Sequence, residues 1–199
     1  MFDKVPEKIS VPPARPLWSR ICGWLLALLL VLGSAPAAAS VTITFYSKEF
    51  DSSFPHAFVL VRGVVDETAE KIDTNYGFTA THVSPAVLLG SVTGEIMTVS
   101  PEYVARSVPH IALTLTDAEY AEVMAVVEQW RGMKQPSYHL NKRNCVFFVA
   151  DIAATLGMKV DTSRLMKKPY SFLSALAETN RQWLAARSPS GGILAGPAH

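Results

Sequence analysis

His56-Ala57-Phe58-Val59-Leu60-Val61-Arg62-Gly63-Val64-Val65 is apolar at all but three of its positions. A continuous apolar, β-branched run of this length predicts a strand buried on both faces, hence central in a sheet. Its surroundings supply neighbours. Residues 41–46 (Val-Thr-Ile-Thr-Phe-Tyr) alternate and are β-branched, the pattern of a half-buried strand. Residues 66–73 are charged and turn-like, and residues 75–82, rich in aromatic and β-branched types, are expected to return as an antiparallel partner after a turn near Ala69. Residues 87–92 and 95–99 read as short strands around Thr93-Gly94, and residues 101–107 as irregular or a single helical turn. His110-Ile111-Ala112-Leu113-Thr114-Leu115 alternates again and reads as a strand. The sum is an antiparallel sheet of about five strands.

The helices follow by their own signals. Thr116-Asp117-Ala118-Glu119 has the spacing of a capping box, in which hydroxyl and carboxylate satisfy free amides at a helix start. Tyr120, Val123, Met124, Val127 and Trp130 then share one helical face as far as about Arg131. Asn144 is a suitable N-cap for a helix reaching Leu156, and Gly157 suits a left-handed C-terminal cap. Pro169 opens a last helix, from Tyr170 to about Ala186, with Phe172, Leu173, Leu176, Trp183 and Leu184 apolar. The fold class expected is α+β, with the sheet packed on two to three helices.

The N-terminus belongs to a different category. Lys4, Lys8, Arg15 and Arg20 precede an apolar run from Gly23 to Gly33, and a small-residue stretch, Ser34-Ala35-Pro36-Ala37-Ala38-Ala39, follows. That order is the order of a secretory signal peptide, 1–39, and the run is shorter than the ~20 residues a membrane span needs. Export to the periplasm or beyond is expected, with anchoring by this segment as the alternative. One domain, 40–187, and a disordered tail, 188–199, complete the organisation. The 160 residues after the signal carry 14 basic and 15 acidic side chains, a formal charge of −1, which argues against a nucleic-acid partner.

Cys145 is the single cysteine outside the signal segment, since Cys22 lies within it. An unpaired thiol in an oxidising compartment is a liability unless buried or used. This one opens a helix behind Lys142, Arg143 and Asn144, a setting expected to lower its pKa. The bases available to it are His56, His82, His110, His139 and His199. His199 ends the chain, and His110 and His139 read as surface or structural. His56 opens the most buried strand, and a hairpin turning near Ala69 would bring His82 close to it. The glycines of Gly90-Ser91-Val92-Thr93-Gly94 flank a valine rather than a serine nucleophile, and no phosphate loop or paired-histidine zinc helix is present in the sequence. No cofactor or metal is expected.

Pro55-His56-Ala57-Phe58-Val59, followed much later by Arg143-Asn144-Cys145-Val146-Phe147-Phe148-Val149, resembles the circularly permuted branch of papain-like, NlpC-type thiol hydrolases, to which lecithin–retinol acyltransferase-like proteins belong. The likeness runs from about His56 to Gly157. It implies a permuted papain-like fold, Cys145 as nucleophile, His56 as base, and a third polar residue on the strand after the histidine strand. His82, Asn75, Thr79 and Thr81 all stand there, with His82 favoured. Tyr138 is a candidate hydroxyl near the oxyanion. The activity implied is hydrolysis or acyl transfer at an amide or ester bond, on a cell-wall peptide or a lipid acyl group, with contact to a membrane surface as a further partnership. The alternative is a non-catalytic periplasmic binding or structural domain of the same fold.

Overall fold

The computed structural model describes residues 40–49, 54–82, 84–187 and 192–193. The expected signal segment 1–39, and the expected tail apart from Gly192 and Ile193, lie outside the described residues.

The fold is α+β. Strands β1 (Val41–Lys48), β2 (His56–Val64), β3 (Lys71–Ala80), β4 (Gly94–Met97), β5 (Val108–Leu115) and β6 (Gly192–Ile193) form an antiparallel sheet in the order β4-β3-β2-β1-β5-β6. The helices are α1 (Ala86–Leu89), α2 (Pro101–Ala105), α3 (Asp117–Arg131), α4 (Cys145–Thr155), α5 (Pro169–Thr179) and α6 (Arg181–Arg187). β2 lies inside the sheet, as its apolar run requires: Val59 and Val61 are fully buried and pair with Phe45 and Ile43 of β1. β6 was not expected; two residues of the presumed tail pair with Ile111 and Ala112 and extend the sheet beyond β5.

The core lies between one sheet face and the longer helices. α4 covers β2 and β3, and α5 covers β1 and β5. Phe78 meets Trp130 of α3 edge-on at 4.7 Å between centroids, and Trp130 meets Phe148 of α4 at 5.6 Å. The opposite face carries Tyr46 stacked on Phe58 at 5.3 Å, with Tyr103 of α2 tilted against Phe58 at 5.9 Å.

Local signals hold where they rest on hydrogen bonding. Thr116 and Glu119 make the reciprocal capping box, and Gly157 takes the left-handed φ of 87°. Three boundaries differ. Strand β3 starts at Lys71 because the turn is confined to Asp66–Thr68 and Ala69, where φ is 56°. Residues 86–89 form a helical turn rather than a strand: Val87 and Leu88 donate to the carbonyls of Ser84 and Pro85, and only Val92 reaches a cross-chain partner, Tyr138. The last helix divides at Asn180, whose side chain accepts from the amide of Lys159 and donates to the carbonyls of Lys159 and Leu176.

Candidate functional site

The segment between α3 and α4 is pinned before it delivers Cys145. Gln135, at a cis Gln135–Pro136 peptide, accepts from the Gly94 amide at 3.0 Å and donates to the Gly94 carbonyl at 2.8 Å, locking the segment to β4. Val92 and Tyr138 exchange backbone bonds of 2.9 and 3.0 Å, and a tight turn joins His139 to Arg143. Asn144 then caps α4. Its Oδ1 accepts from the amides of Val146 at 2.8 Å and Phe147 at 3.3 Å. Its Nδ2 donates to the carbonyls of Leu140 at 2.8 Å and Met166 at 2.7 Å. The amide is 2% exposed and every one of those bonds is local to the start of α4 or to the loop leading into α5.

Cys145 is the first residue of α4 and 7% exposed. The backbone N–H groups of Ala57, Cys145 and Val146 point at its sulfur. They favour the thiolate, but burial outweighs them and pushes the thiol up to about 11. The expected depression of this pKa is therefore corrected. Lys142 is exposed, and the Arg143 guanidinium turns away to donate to the Ser137 carbonyl at 2.5 Å.

Ala57 directly follows His56, so its amide brings the sulfur to within one peptide of the histidine. The two side chains leave the sheet differently. Ala57 packs into the core under α4, whereas the His56 ring lies on the face of Phe58, near-parallel to it with centroids 6.1 Å apart. Thiol and imidazole thus lie toward different faces of β2 and are linked through the His56–Ala57 peptide at its N-terminal end. The ring keeps a solvent-touching edge, yet its surroundings are dense enough that desolvation lowers His56 to about 4. On the β3 side it faces Gly77, where a Cβ would stand 2.3 Å from Nε2.

Both residues line one cavity of about 760 Å³. Its walls include Phe54, Phe78, Met97, Val99, Tyr103 and Tyr138, and among the described residues Lys167 is the one lysine lining it. Leu88 of α1 stands at its mouth, 74% exposed, and Tyr138 stacks on Phe78. Burial first, and the nearby Cys145 second, raise the Tyr138 phenol to about 12, so it stays protonated.

The candidates for a third residue fall apart in space. Asn75 spends its amide on Val99, accepting from its N–H at 2.7 Å and donating to its carbonyl at 3.0 Å. Thr79 lines the cavity. Thr81 buries Oγ1 with no hydrogen-bond partner among the described residues. His82 is exposed in the bend after β3 and is not part of the cavity wall. The register explains this: Val59 pairs with Tyr76, so the hairpin carries His82 three positions beyond the residue opposite His56.

His110, expected to be surface or structural, is a buried structural residue. Phe45 pairs with Ile111 and Tyr46 with Pro109, so His110 is the extra residue of a β-bulge. It is 4% exposed, bonded to Ser47 Oγ at 2.8 Å and Ser174 Oγ at 3.4 Å, and edge-on to Tyr170.

No family model and no curated protein matches the chain. Among solved structures, a Type VI secretion system effector, TseH, aligns with a TM-score of 0.45 and 13% identity, over 70% of this chain and 88% of that one.

Proposed function

We propose that this protein is an exported thiol enzyme, a hydrolase or acyltransferase acting on an ester or amide, with Cys145 as nucleophile and His56 as base. The observation that carries the reading is the amide of Ala57 on the Cys145 sulfur, which sets the thiol against the His56–Ala57 peptide beside a cavity that Cys145 and His56 both line. The order of histidine strand, partner strand and Asn-Cys helix start is also the order that the permuted papain-like resemblance implies.

The step is acyl transfer. His56 takes the thiol proton as the sulfur bonds to the acyl carbon. The carbonyl electrons move to oxygen, where the Cys145 backbone N–H, left uncapped by Asn144, can receive the charge. Collapse breaks the bond to the alcohol or amine, which leaves with the proton from His56. Water or a second acceptor then cleaves the thioester and regenerates the thiol. The cavity's largely aromatic and aliphatic walls favour a lipid acyl group over a polar cell-wall peptide, and Lys167 favours an anionic group at the other end of the substrate. Contact with a membrane surface follows from the same chemistry. Cys145→Ala is expected to abolish hydrolysis of p-nitrophenyl butyrate while leaving the melting temperature within a few degrees. Unchanged hydrolysis would overturn the proposal.

The second reading, a non-catalytic binding domain, draws on the burial of the thiol and its raised pKa. It predicts that Cys145→Ala and His56→Asn leave the affinity for a fluorescent fatty acid unchanged and that the wild type turns over no ester.

A further inference from the structure

We infer that the site works as a two-residue pair in which Gly77 seats the His56 imidazole, occupying the place of a third, orienting side chain. This rests on the reading of Cys145 and His56 given above. Glycine inside a strand weakens it, so its presence in β3 asks for a reason. The backbone is not that reason: the glycines with left-handed φ among the described residues are Gly63 and Gly157, and Gly77 has a conformation open to any residue. Space is the reason. A Cβ at position 77 would lie 2.3 Å from His56 Nε2, 3.0 Å from Cε1 and 3.2 Å from the Phe58 Cβ. Carbon and nitrogen in contact need more than 3 Å, so any side chain here displaces the ring.

The ring is therefore held between the Gly77 backbone and the Phe58 ring. With its Nε2–Cε1 edge against β3, Nδ1 is the basic nitrogen left to accept the thiol proton. The polar residues of the same strand do not take over the orienting role. Asn75 is committed to Val99, Thr79 stands opposite His56 in the register but makes no hydrogen bond to its ring, the Thr81 hydroxyl is unbonded among the described residues, and His82 lies past the strand in solvent. Packing replaces a hydrogen bond as the device that fixes the imidazole. Gly77 is accordingly a positioning residue and touches no substrate.

The test compares Gly77→Ala with His56→Asn, using hydrolysis of p-nitrophenyl butyrate and the nitrogen shifts of the His56 ring. A displacement near 1 Å at a reacting group costs about 100-fold. Gly77→Ala is expected to lower kcat by about that factor, with KM within about threefold, and to move the His56 ring shifts; a merely structural role would leave those shifts in place in the folded variant. If His56→Asn is inactive and Gly77→Ala retains full kcat, the inference is overturned while the thiol–imidazole reading stands. If His56→Asn is fully active, the reading itself fails. Wild-type protein supplies a measurement independent of whether Gly77→Ala folds: the neutral ring should carry its proton on Nε2, and an Nδ1–H tautomer would overturn the assignment. A large kcat loss in Thr79→Val accompanied by altered His56 shifts would put a hydroxyl in the orienting place and also overturn it.

Discussion

Cys145 and His56 are each held in the uncharged form, the thiol pushed up to about 11 and the imidazole down to about 4, both first of all by burial. At neutral pH the resting pair is thiol and imidazole rather than thiolate and imidazolium. The proton then moves during attack, and a base that is neutral from weakly acidic pH upward is suited to receive it. The sign for turnover follows. Below its pKa His56 already holds a proton and cannot accept another, so kcat/KM for p-nitrophenyl butyrate should fall with acid as pH passes through about 4 and stay level across neutral pH. Iodoacetamide, which reacts with thiolate alone, should label Cys145 slowly at pH 7 and faster as pH rises toward 11. Full-rate labelling at pH 6 would contradict this site. Here lies the limit of what the sequence makes legible. A helix start, an asparagine cap and two adjacent cations are local features, readable in order along the chain. Their effect on the thiol depends on what covers it, and that is decided by β2, a strand 80 and more residues away, together with the turn that aims Arg143 at Ser137.

Elements are joined here through side-chain amides more than through ion pairs. Gln135 ties the segment before α4 to β4, Asn180 ties the break between α5 and α6 to Lys159, and Asn144 ties α4 to the approach to α5. Asn144 was legible as a cap because a cap needs only its own neighbours. Its second pair of bonds, to Leu140 and Met166, was not, because it depends on a chain 22 residues further on. Asn144→Ala removes the cap and leaves buried carbonyls unpaired, a loss of about 2–4 kcal/mol by the usual costs of a cap and of an unmet buried hydrogen bond. Urea unfolding at pH 7 measures it. Asn144→Asp keeps the capping acceptor but turns an acceptor toward two carbonyls, so it should recover little of that loss; full recovery would show that the cap alone matters. The helical turn α1 teaches the converse. Ala86-Val87-Leu88-Leu89 has strand-like composition, yet with no strand to pair against it closes on Ser84 and Pro85 and leaves Leu88 and Leu89 74% and 88% exposed. Apolar composition reports burial only where tertiary structure supplies a partner.

At the scale of the molecule, the longer helices share one sheet face, so the joint between that face and α5 bears on global stability. His110 is that joint. The bulge opposite Phe45 and Tyr46 delivers it from β5, Ser47 of β1 bonds one ring nitrogen, and Ser174 and Tyr170 of α5 meet the other side. Ser47 and Ser174 offer hydroxyls and Tyr170 an aromatic ring, so no carboxylate among these contacts favours the imidazolium, and burial lowers His110 from 6.5 to about 4. In the unfolded chain the same histidine titrates near its ordinary value. Between the two pKa values the unfolded state binds more protons than the folded one, so stability is fully present above pH 6.5 and is lost as pH falls from 6.5 toward 4. The full loss is on the order of 3 kcal/mol, at 1.36 kcal/mol for each unit of pKa. His56 and the carboxylates add their own acid dependence, which makes the comparison with His110→Gln the informative one: glutamine retains hydrogen bonding to the serines without titrating. The urea midpoint of the wild type should drop more steeply than that of His110→Gln across pH 6.5 to 4, and the two slopes should match above pH 7. Parallel slopes over the whole range would mean that protonation of His110 does not set the acid limit, and that the joint between β1, β5 and α5 accommodates a charged imidazole.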